Sequence, residues 1–220
     1  MTLISHRGKR PQVDAGAYVA PNAVLVGDVR VGPKARIMYG AVLDAEGSYV
    51  EVGKGAVICE HAVLRATAVG DREHVVRVGE DAFVGPHATL LGCMVEASAY
   101  IATGATVLHG AVVGAGAVVA VHGLVHANTQ LPGEFLVSPN TVALGDPVRL
   151  FSADDREALV EAIKTVNFVR TAFGVETSWE DRLARYRQAT RVRAEEFAAH
   201  RDDVVLDEDR DTRPAQQGPC

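Results

Sequence analysis

The sequence predicts an all-β solenoid, a parallel β-helix of hexapeptide repeats followed by C-terminal α-helices. Three observations predict it. An aliphatic residue recurs every six positions, usually with a small residue four places after it. Aromatic residues make up only 5% of the chain beside 21 glycines, so the core must consist of small aliphatic side chains in regular layers. Beyond Phe151 the apolar spacing changes to that of a helix.

The repeat can be followed unit by unit. From Val84 the chain runs VGPHAT, LLGCM, VEASAY, IATGAT, VLHGAV, VGAGAV and VAVHGL. The same unit appears as LVGDVR, VGPKAR and IMYGAV from Leu25, and as VGKGAV, ICEHAV and LRATAV from Val52. A helix would set residues six apart about 120° from a full turn and scatter the aliphatics around it. Strand alternation fits within a unit but does not explain glycine recurring at the second slot. A short strand, a corner and the next strand, with three units to a triangular coil, accounts for both. Neighbouring coils then pair as parallel strands about 4.8 Å apart.

The remaining segments follow in order. Residues 70–77 (GDREHVVR) form a mostly polar excursion before the hexads resume at Val78, and 127–148, with Pro132, Pro139 and Pro147, closes the solenoid. The solenoid domain is therefore expected over 1–150 and the helices over 151–201. Ser152 is an N-cap candidate, with Asp154, Asp155 and Glu157 in a first turn that favours acids. Leu159, Ile163, Val166 and Val169 form the inward stripe of a helix reaching Phe173 and stopped at Gly174. A second helix is expected from Ser178 to about Arg201 with Trp179 and Tyr186 on one face. Six acids between 202 and 213 mark 202–220 as a solvated, disordered tail.

Composition excludes several classes of function. A net charge of −6 argues against nucleic-acid or anionic-membrane partners. Cys59, Cys93 and Cys220 are odd in number and lack a CxxC, which indicates neither a disulfide framework nor a cysteine-rich zinc site. No apolar run approaches the ~18 residues of a membrane span, and MTLISHRGKR lacks the apolar stretch of a secretory signal. The expected location is cytoplasmic.

IMYGAVLDAE (37–46), VGKGAVICEHAVLRA (52–66), VGPHATLLGC (84–93) and IATGATVLHGAVVGAGAVVA (101–120) resemble the γ-class carbonic anhydrase-like family, as does ALGDPVRLF before an acidic helix start. The resemblance implies a left-handed β-helix, a homotrimer, and zinc in clefts between subunits, one His coming from one chain and two from its neighbour. The family's first zinc ligand closes a QDxxVIH-type segment, which here reads CEHAVLR and ends in Arg65. The other two lie in a GHxAxLHGC pattern, which here reads GPHATLLGC and places Pro86 and Leu91 in the ligand slots. Pro and Leu offer no side-chain lone pair and Arg stays protonated, so zinc-hydroxide chemistry is not expected at this position. The family's YGAVxRxD arginine and aspartate fall on Asp44 and Glu46, and its QD carboxylate on Glu60. An arginine lost at one slot and gained at another suggests a swapped ion pair between Asp44 and Arg65.

The hexad register stacks His61 and His87 in one corner slot, a coil apart, with Glu60, Arg65, Asp44 and Glu46 expected nearby. These residues can act as acid and base, with catalytic roles for His87, His61, Arg65 and Glu60. Arg65, Asp44, Glu46 and Tyr39 are the substrate-binding candidates. His87 and then His61 are the first ligands for zinc or another divalent metal at a non-standard site. Against this, corners are exposed and tolerate His without any function. His109 and His126 fall one and two coils further along the face of Leu90, whereas His6, His122 and His200 show no constellation. Three readings stay open: a reworked lyase-type enzyme acting on or binding a small anionic carboxylate molecule, a hexapeptide acyltransferase, and a non-catalytic trimeric scaffold.

Overall fold

The computed structural model describes residues 1–69 and 72–206. The chain coils into a triangular solenoid with a parallel sheet on each face. The first face contains Val29–Val31, Val50–Val52, Val76–Val78 and their equivalents, and the second contains Arg36–Ile37, Val57–Ile58, Phe83–Val84 and theirs. The third face is a ten-stranded sheet that includes Val24–Val26, Val42–Asp44, Val63–Arg65 and Thr89–Leu91. Its outermost strands, Arg149–Phe151 and Val204–Leu206, run antiparallel to the rest.

The leading aliphatics of the hexads stack into ladders. Leu25, Leu43, Leu64, Leu90, Val107 and Val125 pair in register up the third face, and all are fully buried. Removing one such side chain, Leu64→Ala for example, costs about 2–5 kcal/mol in a core that cannot collapse around the gap. Each corner also carries its own column of left-handed residues. Between the second and third faces these are Gly40, His61, His87, Gly104, His122 and Asn140, all with φ between 54° and 71°. Glycine adopts this conformation freely, and Asn and His tolerate it better than most residues.

The outward residues differ by face. The first face is charged and internally paired, with Arg30 on Asp28 at 2.8 Å and Arg77 on Glu51 at 3.4 Å. The second presents Tyr18, Phe83, Tyr100, Val118 and Leu136, and the third Val24, Val42, Val63, Leu124 and Val142.

Past Phe151 the structure departs from expectation in three places. The first helix is broken into α1 (Arg156–Val166) and α2 (Phe168–Phe173), because Asn167 takes the left-handed conformation with φ 45° between them. Ser152 caps the start and Gly174 closes the end, as expected. The second helix, α3, is shorter than expected, at Arg182–Phe197 with Asp181 as its N-cap. Trp179 therefore precedes the helix, and the Arg185 guanidinium stacks on its ring at 4.6 Å. The expected tail boundary at 202 also moves. Residues Val204–Leu206 pair with the N-terminal strand Thr2–Ser5, since Val204, Val205 and Leu206 make a short apolar strand within the acidic run. The tail beyond 206 lies outside the described residues. No helix among the described residues is long and apolar enough to cross a membrane.

Candidate functional site

The expected site residues fall at the two edges of the third face. Tyr39, Glu60, His61, Pro86 and His87 precede its strands, while Asp44, Glu46, Arg65 and Leu91 end or follow them. Roughly 10 Å of extended strand separates the edges within one chain. The expectation that all of these residues lie together is thus corrected, because a hexad that places His61 at one corner must place Arg65 at the far end of the same strand.

At the first edge the rings of His61 and His87 stack with centroids 5.2 Å apart and planes 10° from parallel. Each left-handed corner side chain leans toward the preceding coil. A Cβ added at Gly40 would come within 2.4 Å of His61 Nδ1, so glycine at 40 is what leaves room for the ring. Both histidines are exposed, and among the described residues no third His, Cys, Asp or Glu gathers with them into a group that could hold an ion. Glu60 is half-buried beside them. Tyr39 is exposed, and its hydroxyl stands 3.4 Å from that of Tyr18.

At the second edge Asp44, Arg65 and Leu91 occupy paired positions in three successive coils. The Arg65 Nε donates to Asp44 Oδ2 at 3.2 Å, with Nη2 at 3.2 Å from the same oxygen. The swapped ion pair expected from the sequence is present. The Arg65 side chain is 34% exposed against 6% for Asp44, and its guanidinium lies over the Phe197 ring of α3 at 4.8 Å. The zinc position implied by the resemblance does not fit these residues. Two of its slots lie in register on this chain and hold an arginine already paired to a carboxylate and a leucine, and the third holds Pro86.

Glu46, expected beside Arg65 as a substrate-binding residue, does not face it. It turns inward, buried, and its Oε1 accepts from His200 Nε2 at 2.9 Å. Burial pushes its carboxyl above the usual carboxylate range, against the bond from His200. Around it lie His6, Asp203 and His200, with the His6 and His200 rings stacked at 4.4 Å. Sequence reasoning missed this constellation. Its members are separated by up to 197 positions, and no local pattern joins His6 to Asp203.

The C-terminal helices cover this second edge. Thr67 Oγ1 donates to Glu196 Oε1 at 2.5 Å, and Arg193 pairs with the same carboxylate. Further along, His74 Nε2 donates to the Thr171 carbonyl at 3.0 Å, and Asn128 Nδ2 to Thr171 Oγ1 at 3.0 Å. His109 and His126 are buried under Phe168. Burial, with His74 and Arg193 nearby, pushes His109 down to about 3, and burial lowers His126 as well. Burial also raises the Cys59 and Cys93 thiols, which suits compact core residues rather than nucleophiles.

No protein-family model matches the chain. The γ carbonic anhydrase 1, mitochondrial, of Arabidopsis thaliana is 37% identical over 133 residues, 60% of this chain and 48% of that protein. The carnitine operon protein CaiE of Escherichia coli is 30% identical over 151 residues, 68% of this chain and 71% of its own length. The chain spans about half the length of the plant relatives it matches. A hexapeptide transferase family protein from Anaplasma phagocytophilum superposes with a TM-score of 0.47 at 22% identity, over 89% of this chain and 96% of that one. With its hexapeptide solenoid in register and these relatives, the chain belongs to the γ-carbonic anhydrase-like family.

Proposed function

We propose that the chain assembles as a homotrimer and that the two edges of the third face meet between subunits. Glu60, His61 and His87 of one copy then stand opposite Asp44 and Arg65 of the next. The cleft so formed binds a small carboxylate and does not hydrate carbon dioxide on a zinc hydroxide. The observation that carries this reading is the Asp44–Arg65 pair, a partly exposed guanidinium where the family has a ligand histidine. Arginine recognises carboxylates through a planar fork of donors, and one oxygen of Asp44 leaves part of that fork open.

The distribution of surface supports the assembly. The second and third faces, mainly apolar apart from Arg36, flank the His61–His87 corner, while the charged first face suits solvent. The stripe Leu159, Ile163 and Val166 on α1 is only half-buried within one chain, as expected of a helix that packs on a neighbour. In this cleft Arg65 anchors the anion from one side and His87 holds it from the other, and His87, backed by His61 and Glu60, moves protons in any lyase-type reaction that follows.

A thermal-shift panel of bicarbonate, acetate, malonate and succinate tests the reading. At least one anion should raise the melting temperature of the parent, and Arg65→Leu should abolish that shift while remaining folded. A panel without shifts, or a shift unchanged in Arg65→Leu, contradicts it.

A further inference from the structure

We propose a second, separate site that binds a divalent transition metal of the zinc class, held by His6, Glu46 and His200 where the two ends of the chain meet. It does not depend on the trimer or on the carboxylate cleft. It also lies apart from the zinc slots of the family, which here hold Arg65, Pro86 and Leu91.

The ligand atoms already converge. One nitrogen from each histidine and a carboxylate oxygen of Glu46 all lie within 4.8 Å of one another. His200 Nε2 is 2.9 Å from Glu46 Oε1, and His6 Nε2 is 3.8 Å from Glu46 Oε2. Ligand atoms around a tetrahedral zinc stand about 3.3 Å apart, given bonds of about 2 Å, so these separations bracket the required spacing.

The hydrogen bonds fix which atoms point inward. Asp203 accepts from His6 Nδ1 at 2.6 Å through one oxygen and from His200 Nδ1 at 2.8 Å through the other. One carboxylate therefore orients both rings and directs both Nε2 atoms toward Glu46, the outer-sphere pattern that supports metal-binding histidines. His6 Nε2 accepts from Arg7 Nε at 3.1 Å, so it presents a lone pair and carries no proton. Opposite that lone pair lies Glu46 Oε2, whose side chain is fully buried and which meets no donor among the described residues. Two acceptors facing each other in a buried space leave a position for a cation. Binding would displace the proton that His200 Nε2 now donates to Glu46, leaving a His2Glu set. The Arg7 side chain is exposed, and it must move aside from His6 Nε2 for the ion to enter.

Such an ion would join the first strand, the corner after Val42–Asp44 and the segment that follows α3. The experiment uses the full chain, stripped with a chelator and titrated with Zn2+ against a chromophoric competitor, with Co2+ absorption reporting ligand type. One Zn2+ per chain is expected, with a tetrahedral nitrogen–oxygen cobalt spectrum. Asp203→Asn should weaken binding about 10–100-fold and Glu46→Gln by more. Arg7→Ala should bind as tightly as the parent or tighter, and His61→Ala with His87→Ala should leave binding unchanged. If Glu46→Gln does not fold, the parent cobalt spectrum and the partly exposed His200→Ala decide instead. Substoichiometric zinc overturns the proposal. So does binding that survives loss of His200, or that disappears with His61 and His87. If Arg7→Ala only destabilises the chain and still binds no zinc, Arg7 is itself the cation for which the cluster is built, and the proposal fails.

Discussion

Asp44 and Arg65 sit directly opposite each other in adjacent parallel strands, and their ion pair occupies the edge where the family places a zinc ligand. Asp44 is almost wholly buried, so the pair cannot be opened from one side without cost. Arg65→Leu should lower the unfolding free energy by about 1–3 kcal/mol, the penalty of a buried acceptor left unpaired. Asp44→Asn added to Arg65→Leu should recover most of that loss, because the amide is neutral and can still accept from the Glu46 N–H. Urea titration of both variants checks it, and equal stability of single and double variant would refute it.

Gly40→Ala should displace the His61 ring. The new methyl would fall 2.4 Å from Nδ1, and φ is +71° at that position. The left-handed conformation alone costs about 1–2 kcal/mol for a residue with a Cβ. Imidazole NMR shifts should show His61 leaving its stack on His87, and shifts identical to the parent would show that the corner has slack.

Acid should weaken the fold through His109. Its folded value is depressed to about 3 from an ordinary 6.5, so between those values the unfolded chain binds a proton that the folded chain refuses. Stability from this residue is present above pH 6.5 and is lost as pH falls toward 3, by an amount on the order of a few kcal/mol. His200 acts in the opposite sense. Burial disfavours its charge, but bonds to Asp203 and Glu46 raise its value, so its contribution is lost as pH rises. His109→Leu should flatten the acid limb of stability against pH and also remove a buried Nδ1 that has no partner among the described residues. An unchanged acid limb would assign that dependence elsewhere.

Leu159→Glu should dissociate the proposed trimer while leaving the solenoid folded. Leu159 lies on the half-buried stripe of α1, and a charge there penalises burial against a neighbour. Light scattering should report single chains with β-rich circular dichroism retained, and an intact trimer would remove α1 from the interface.

The solenoid was legible because its information is local. Six-residue spacing, once the excursion at 70–77 is set aside, puts Ile58 beneath Val84 and Leu64 beneath Leu90, and the observed register agrees. The same arithmetic predicted the His61–His87 stack, while the resemblance to the family's motifs implied the Asp44–Arg65 pair. It could not show that Glu46 turns inward, since that depends on His200 arriving from 154 residues away. The break at Asn167 was hidden for a different reason. The apolar stripe passes through it unbroken, from Val166 to Val169, and only the left-handed backbone reveals the turn.

Subunit complementation tests the proposed composite cleft most directly. Arg65→Leu and His87→Ala are each expected to form trimers that the active anion of the panel no longer stabilises. Unfolded together and refolded as mixed trimers, they should regain binding. A cleft with Arg65 from one subunit and His87 from the next is intact in about a quarter of random pairings. Recovery of that fraction by equilibrium titration is the result the account predicts. Mixed trimers that bind no anion, or parent-level binding in either variant alone, would contradict it.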